Sequence, residues 1–278
     1  MLYRYLVLFL IMSQCAHAAE KRFSYSEELL TFWCEQVKDL PTYCYPYDGL
    51  EEILKKEGKS TLTLFSYGSL VDYGSARKTL SAESLSTREP ALAFGVTRLF
   101  NRDVPIVPDS HWWQPCSPCA RGMLNLELTG NLYDLVNGVN ITIPLEEIEA
   151  VCKREVGYDL VPVVCAKWEQ STKLSEPDFC IAYTFRAPKG SQYTSANIYP
   201  RPGYYELTRN AAKQYGLLFY YLWLNTTYCP DGVTPITCWQ EAVKAGRPET
   251  LVFYTGDNPP HHESRGTPHR VEPLEKQK

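Results

Sequence analysis

The chain has 278 residues, of which 44% are hydrophobic and 22% are charged, and its formal net charge is −4. These proportions are ordinary for a globular protein with one large domain or two small ones. The slightly acidic balance provides no electrostatic attraction to nucleic acid or to anionic membranes, so we expect neither as a partner.

The first residues have the pattern of a secretory signal peptide. Arg4 supplies a positive charge, Leu6 to Met12 form an apolar run, and Ala16 to Ala18 fit a cleavage site. The run is much shorter than the roughly 20 residues of a membrane-spanning helix, so a permanent anchor is the weaker interpretation, as is a lipoprotein site at Cys15. We therefore predict a signal peptide over residues 1–18 and a secreted or periplasmic protein.

The next elements are a short helix and a series of strands separated by turns. The helical pattern covers Phe23 to Lys38. Strands are predicted over Thr61–Phe65, Ala91–Phe100, Gly122–Leu128, Asn137–Thr142, Tyr158–Trp168 and Cys180–Phe185. Pro162 should make the fifth of these an edge strand or a bulged strand, because proline cannot donate to a sheet ladder.

The first strand leads directly into a loop with a possible binding function. The apolar run TLTLFSYGSL contains Ser66, Tyr67, Gly68, Ser69 and Leu70. Gly68 allows a sharp turn, so successive backbone N–H groups can point into one concavity and hold an anion, and the serines add hydroxyl groups. Taken alone, such a turn is more often structural than ligand-binding.

A helix is predicted to begin after Pro144, and its apolar stripe contains one charge. The stripe consists of Leu145, Ile148, Val151, Cys152 and Val156. Glu155 falls inside this stripe, whereas Lys153 and Arg154 fall on the opposite, solvated side. A buried carboxylate is costly unless it is used or paired.

Two interpretations of Glu155 follow from this position. As a catalytic acid/base it would have a raised pKa, because it is desolvated and lies at the negative end of the helix dipole. As a structural residue it would pair with an arginine or cap backbone groups. The available arginines are Arg98, Arg102 and Arg121.

A second long helix is predicted from about Tyr204 to Leu224, and the chain ends in a segment rich in proline and charge. Strands and helices without a regular βαβ rhythm favour an α+β fold. We predict an N-terminal helical and loop extension over residues 19–59, one domain over residues 60–257, and a disordered tail over residues 258–278.

Export would place the cysteines in an oxidising compartment, where disulfides persist. Cleavage after Ala18 leaves nine of the ten cysteines. Neighbouring cysteines are predicted to pair, with Cys152 left over. The predicted pairs are Cys34–Cys44, Cys116–Cys119, Cys165–Cys180 and Cys229–Cys238.

The Cys116–Cys119 pair has two further interpretations. A C-x-x-C motif can be a redox dithiol, which would make the protein a disulfide oxidoreductase, but no thioredoxin-like βα pattern flanks it. A zinc site would need two more ligands, and His111 is the one histidine nearby, so we predict no metal. Asn140 and Asn225 begin glycosylation sequons, which matter if the host modifies exported chains.

Four segments, taken in order, resemble the gamma-glutamylcyclotransferase-like family. They are LFSYGSL, ALAFGVTRLFNR, NGVNITIPLEEIEAVCKREVGYDLVPV and PRPGYYELTRNAAKQYGLLFYYLWLNTTY. The resemblance covers about residues 60–230. Its most specific part is the pairing of the Y-G-S loop with the downstream R-E-x-G-Y motif, which is most similar to the glutathione-specific, ChaC-like branch.

This resemblance implies a fold, a reaction and a set of site residues. The fold would be a mixed, barrel-like sheet with flanking helices and a cavity at one end. The enzyme would cyclise a γ-glutamyl group to 5-oxoproline and release an amine or peptide, without metal or cofactor, and glutathione would be the first substrate to test. Glu155 would be the acid/base. The substrate-binding residues would be Ser66, Tyr67, Gly68, Ser69, Leu70 and Tyr158.

The main alternative comes from a different functional class. A secreted binding or interaction protein could retain this fold without the reaction. The presence of Tyr67, Gly68, Ser69 and Glu155 together favours the enzyme.

Overall fold

The computed structural model describes residues 27–104, 120–168 and 179–246. The predicted signal peptide, the Cys116–Cys119 motif and the predicted tail lie outside these ranges, and the structure does not bear on them. The helix predicted over Phe23–Lys38 is described from Glu27 onwards.

The described residues form eight helices and eight strands. The helices are α1 Glu27–Lys38, α2 Leu50–Lys56, α3 Tyr73–Ala76, α4 Ala82–Ser86, α5 Leu145–Arg154, α6 Pro202–Gln214, α7 Leu217–Asn225 and α8 Ile236–Lys244. The strands are β1 Thr61–Ser66, β2 Glu89–Phe94, β3 Val96–Asp103, β4 Gly122–Leu128, β5 Leu135–Pro144, β6 Asp159–Lys167, β7 Phe179–Arg186 and β8 Thr227–Tyr228. None of the described helices has the length and apolar character needed to cross a membrane.

Five strands close into a barrel in the order β1-β5-β2-β6-β7. Four of the five neighbour pairs are antiparallel, and a parallel contact between Leu64 of β1 and Tyr183 of β7 closes the ring. The remaining strands form a separate sheet in the order β4-β3-β8. The predicted α+β fold with a mixed, barrel-like sheet and flanking helices is confirmed.

The hydrophobic core lies on both sides of the barrel wall. In one cluster, buried side chains of β1, β5 and β7 pack against helices α2 and α5, and Leu54 and Ile141 are fully buried. Another packs the barrel against the β4-β3-β8 sheet and helices α6, α7 and α8, where Phe100 and Trp223 are buried. Helix α5 therefore has its apolar face on the barrel and its last turn at the barrel end.

The strand predicted over Ala91–Phe100 is two strands. Gly95 has a φ of 71°, a left-handed conformation that L-residues rarely adopt, and it separates β2 from β3. Because the chain turns at this glycine, β2 belongs to the barrel and β3 to the outer sheet. The prediction of one continuous strand was wrong for this reason.

Pro162 does not make β6 an edge strand. It lies opposite Tyr183 in the ladder with β7, while β2 pairs with β6 only at Cys165 to Lys167. Leu160 exchanges both backbone hydrogen bonds with Tyr43 on the side away from β7. Backbone N–H groups alternate between the two sides of a strand, so the nitrogen of Pro162 also points away from β7. It lies between the Tyr43 contact and the segment paired with β2, so no ladder hydrogen bond is lost.

The helix predicted from Tyr204 to Leu224 is interrupted. Gly216 has a φ of 96° and separates α6 from α7. Helical spacing continues on both sides of the break, which is why the pattern alone did not reveal it. The turn lets α7 pack its Phe219 and Trp223 side chains into the core from a different direction.

The three predicted disulfides within the described residues are absent, since all six cysteines carry thiols. Cys34 packs beside the β7 end of the barrel, whereas Cys44 is exposed in a loop. Cys165 and Cys180 lie opposite each other, but the Cys180 sulfur accepts a hydrogen bond from Asn140. The Cys229 thiol donates to the Pro235 carbonyl, not to Cys238.

The two sequons differ in accessibility. Asn140 lies within β5 and is buried, so a glycan there is incompatible with the folded barrel. Asn225 ends α7 and is exposed.

Candidate active site

A small open cavity lies at the barrel end where β1 runs into the Y-G-S loop. All seven residues predicted for the site line it: Ser66, Tyr67, Gly68, Ser69, Leu70, Glu155 and Tyr158. The wall is completed by Leu64, Phe65, Leu124, Phe185 and Tyr204. Two motifs about 85 residues apart in the chain, at Ser69 and Arg154, are thus brought into contact.

The loop is shaped by a short 3₁₀ turn over Ser69–Val71 that follows β1 directly. Gly68 has φ −112° and ψ −133°, which is not a left-handed conformation. A Cβ at this position would lie 2.8 Å from the Tyr204 hydroxyl oxygen. Glycine is therefore required here because Tyr204 approaches the backbone closely.

Tyr204, on α6, is the site residue that the sequence did not reveal. Its hydroxyl hydrogen-bonds to the backbone of Ser69 and Leu124, and it faces Glu155 across the cavity. Burial raises its pKa. In the sequence it is one of several apolar residues at helical spacing, and no local signal distinguishes it from a core tyrosine.

The two predicted tyrosines contribute mainly their rings to the cavity. The Tyr67 hydroxyl donates to the Phe185 carbonyl oxygen at 2.7 Å, and the Tyr158 hydroxyl donates to the Leu124 carbonyl oxygen at 3.0 Å. Burial raises the pKa of both side chains well above the ordinary value, so both are neutral. They form rigid aromatic walls that lower the local polarity.

Glu155 is the first residue after α5, with φ −99° and ψ 53°. Its N–H still donates to the Val151 and Cys152 carbonyls, and Gly157 then reverses the chain at φ 76°. Its side chain is 16% exposed. Because the helix ends at Arg154, helical angles do not apply beyond it, and Val156, predicted on the apolar stripe, is 47% exposed.

An arginine pairs with Glu155, but it is none of the three that the sequence offered. Arg98 donates to Asn137, and Arg121 pairs with Asp103 at 2.7 Å. Arg102 stacks between the rings of Tyr158 and Tyr193. The partner is Arg154, whose Nε lies 3.3 Å from Glu155 Oε1. The prediction that Arg154 faces solvent was wrong, because its long side chain reaches the loop and hydrogen-bonds there.

The pKa of Glu155 reflects two opposing influences. Burial raises it, since the charged form loses hydration, while the nearby guanidinium groups of Arg154 and Arg102 lower it. Burial is the larger influence, so the pKa lies above its ordinary value. A raised pKa is the direction that general acid/base catalysis by a carboxyl group requires.

No group of His, Cys, Asp or Glu side chains suited to a metal ion occurs within the described ranges. The functional groups of the cavity are a single carboxyl group and a loop that presents backbone N–H groups and the hydroxyls of Ser66 and Ser69. An arginine, Arg154, lies behind the carboxyl group. Such a site suits proton transfer on a substrate that supplies its own nucleophile.

No family model and no curated protein matches the chain. Among solved structures it is similar to YkqA from Bacillus subtilis, with 18% identity, coverage of 59% of this chain and 52% of that one, and a TM-score of 0.41. It is also similar to a gamma-glutamyl cyclotransferase, with 15% identity, coverage of 55% and 79%, and a TM-score of 0.40. It is similar, too, to an uncharacterised protein from Homo sapiens, with 16% identity, coverage of 57% of this chain and 82% of that one, and a TM-score of 0.40.

The chain spans about half the length of the YkqA structure. At these TM-scores the likenesses do not by themselves assign a family. The motifs and the geometry of the cavity are therefore the features that indicate a function.

Proposed function

We propose that the protein is an exported enzyme of the gamma-glutamylcyclotransferase type, which converts a γ-glutamyl group to 5-oxoproline and releases an amine or peptide. The observation that carries the proposal is the meeting of the Y-G-S loop and Glu155 in one cavity. These two motifs are also the most specific part of the sequence resemblance.

The reaction needs no nucleophile from the protein. The α-ammonium of the substrate gives one proton to the Glu155 carboxylate, and the resulting amine attacks the γ-carbonyl carbon of the same residue. Ring closure leaves one surplus proton on the ring nitrogen. Glu155 returns its proton to the leaving nitrogen as the bond between that nitrogen and the carbonyl carbon breaks, and its carboxylate then takes the surplus proton from the ring nitrogen. The released amine accepts this second proton and departs as an ammonium, which regenerates the Glu155 carboxylate. Folding the substrate so that the two atoms meet is an orientation effect worth roughly 7 kcal/mol or more at best.

The loop is proposed to hold the glutamyl group. The first N–H groups of a short helical turn have no acceptor within the turn. The backbone of Ser69 already hydrogen-bonds to the Tyr204 hydroxyl, so the N–H groups of Gly68 and Leu70 are the candidate donors to an anionic oxygen. The rings of Tyr67 and Tyr158 exclude water from the reacting atoms and confine the aliphatic part of the substrate.

The test is an assay of 5-oxoproline release from a panel of γ-glutamyl peptides and amines, beginning with glutathione. We expect turnover by the wild type and a kcat lower by roughly 10²- to 10⁴-fold in Glu155→Gln. Glu149→Gln is the matched control, because this exposed glutamate lies on the same helix and pairs only with Lys153. Full turnover by Glu155→Gln contradicts the assignment, and an inert, folded wild type favours the binding-protein alternative.

A further inference from the structure

Arg154 connects three parts of the site through one guanidinium group. Its Nη2 donates to Ser69 Oγ and to Ser75 Oγ, each at 2.8 Å. Its Nη1 donates to the Ser75 carbonyl oxygen at 3.0 Å and to Thr79 Oγ1 at 3.1 Å. Its Nε lies 3.3 Å from Glu155 Oε1. The loop, the segment that follows it and the acid therefore share a single anchor.

We propose that Arg154 is a positioning residue for the cyclisation, which holds the Glu155 carboxyl group and the Ser69 hydroxyl in a fixed relation across the cavity. The inference rests on the proposed function, since it concerns the same acid and the same loop. Arg154 itself is not part of the cavity wall, so it acts on the substrate through these two neighbours.

The contact with Ser69 also orients a donor. A serine hydroxyl oxygen that accepts from a guanidinium N–H directs its own proton elsewhere. Because Ser69 lines the cavity, that proton is available to an acceptor on the substrate, such as a carboxylate oxygen. Arg154 thereby makes Ser69 a donor towards an anionic group.

The contact with Glu155 favours the charged form of the acid and opposes the effect of burial. Arg102 also attracts Glu155, but its hydrogen bonds go to the carbonyl oxygens of Asp103, Val156 and Tyr193. The other titratable side chains that face Glu155 have raised pKa values and are neutral at physiological pH. They are Tyr47, Tyr67, Cys152, Tyr158 and Tyr204.

A lysine cannot reproduce this arrangement. Four donor contacts to Ser69, Ser75 and Thr79 need the planar fork of a guanidinium, whereas an ammonium is a compact point charge. Arg154→Lys therefore keeps the charge beside Glu155 and loses the fork. Arg154→Gln loses both, so the two variants separate the electrostatic part of the role from the geometric part.

The experiment measures pH profiles of kcat/KM and values of KM for wild type, Arg154→Gln, Arg154→Lys and the control Lys153→Gln. Lys153 precedes Arg154, is exposed, and pairs with Glu149. We expect the acid limb of the profile to move to higher pH by about one unit or more in Arg154→Gln, since a cation that favours the carboxylate is gone. In Arg154→Lys we expect an unmoved acid limb and a KM raised several-fold. Lys153→Gln should match the wild type.

A second readout does not depend on turnover. The protonated-carboxyl stretch of Glu155, identified in infrared spectra by its loss in Glu155→Gln, is titrated in the wild type and in the Arg154 variants. The same upward shift is expected in Arg154→Gln. If the wild type turns over no γ-glutamyl compound, the proposed function fails, and the infrared titration alone decides the link between Arg154 and Glu155.

Two results overturn the inference. A folded Arg154→Gln with a wild-type acid limb and a wild-type infrared titration shows that Arg154 does not act on Glu155. Arg154→Lys with a wild-type KM shows that the fork does not position the loop. Should Arg154→Gln fail to fold, the KM of Arg154→Lys decides, since that variant retains the charge and loses the planar guanidinium.

Discussion

Gly68 and Tyr204 lie close together in the cavity wall, and they illustrate how single residues determine this site. Adding a methyl group at Gly68 would place it 2.8 Å from the Tyr204 oxygen, and that ring is buried, so the loop or the ring would have to shift. The pair therefore sets the distance between the loop and α6.

We predict that Gly68→Ala lowers kcat/KM at least tenfold and destabilises the fold by about 1–3 kcal/mol, the usual cost of overpacking. Removing the opposing oxygen in the double variant Gly68→Ala, Tyr204→Phe should recover part of both losses. Steady-state kinetics and urea unfolding of the single and double variants provide the measurement. Additive losses in the double variant would show that the two residues do not compete for space.

Glu155 also makes stability depend on pH. Its pKa is raised in the folded protein, so its contribution is full below the unfolded-state value of about 4.5 and is lost as the pH rises through the folded-state pKa. Glutamine resembles the protonated acid and cannot ionise.

We therefore expect Glu155→Gln to become progressively more stable relative to the wild type as the pH increases from 4 to 7. Thermal unfolding midpoints at several pH values, with Glu149→Gln as the control, measure the difference. A difference that falls with increasing pH would mean that the ion pair with Arg154 outweighs the burial of the carboxyl group.

At the scale of elements, the close pairing of β1 with β5 depends on Gly138. A Cβ there would lie 2.3 Å from the Ser66 carbonyl oxygen and 2.5 Å from the Phe65 ring. One of these atoms is backbone, so the two strands would have to separate. Because Ser66 ends β1 and begins the loop, the pairing of β1 with β5 also supports the cavity.

Gly138→Ala should lower the free energy of unfolding by about 1–3 kcal/mol, towards the upper end of that range because a backbone atom is involved. Urea unfolding measures the loss, and 5-oxoproline release at a temperature where the variant is folded should show a reduced kcat/KM. Wild-type stability would mean that the strands separate without cost.

The end of α5 is the second element on which the site depends. The helix ends at Arg154, and the left-handed Gly157 reverses the chain, so the Glu155 side chain lies in the cavity wall. Arg154 lies behind that wall, where its long side chain reaches Ser69. A helical wheel identifies Glu155 as unusual but cannot describe residues beyond the last helical turn.

At the scale of the whole molecule, Arg98 links the barrel to the outer sheet and to α7. This fully buried side chain donates to the Asn137 backbone and side chain on β5, to Thr226 and to Thr227, and it lies over the Trp223 ring. Hydrogen bonds to a charged group contribute roughly 1.5–3 kcal/mol each in favourable cases, offset here by burial of the charge.

We predict that Arg98→Met destabilises the protein by roughly 3 kcal/mol or more, because it leaves the Asn137 and threonine oxygens without their donor. Arg121→Met is the matched control: its ion pair with Asp103 is partly exposed, and its loss should cost under about 1 kcal/mol. Urea unfolding of both variants makes the comparison. Equal losses would show that Arg98 does not link the two sheets.

Most of the barrel strands and both motifs of the site can be predicted from the sequence. Alternating apolar residues and turn-forming residues predict five of the strands to within two residues, and the stripe with one acid identifies Glu155, since both follow from local geometry. Strand β8 and helices α2, α3, α4 and α8 were not predicted. The partners of these residues follow from the tertiary structure. It places Arg154 beside Glu155 and Tyr204 over Gly68. It also pairs β6 on both sides and keeps the described cysteines as thiols. These depend on distances between residues far apart in the chain, and on where a helix stops, which periodicity does not encode.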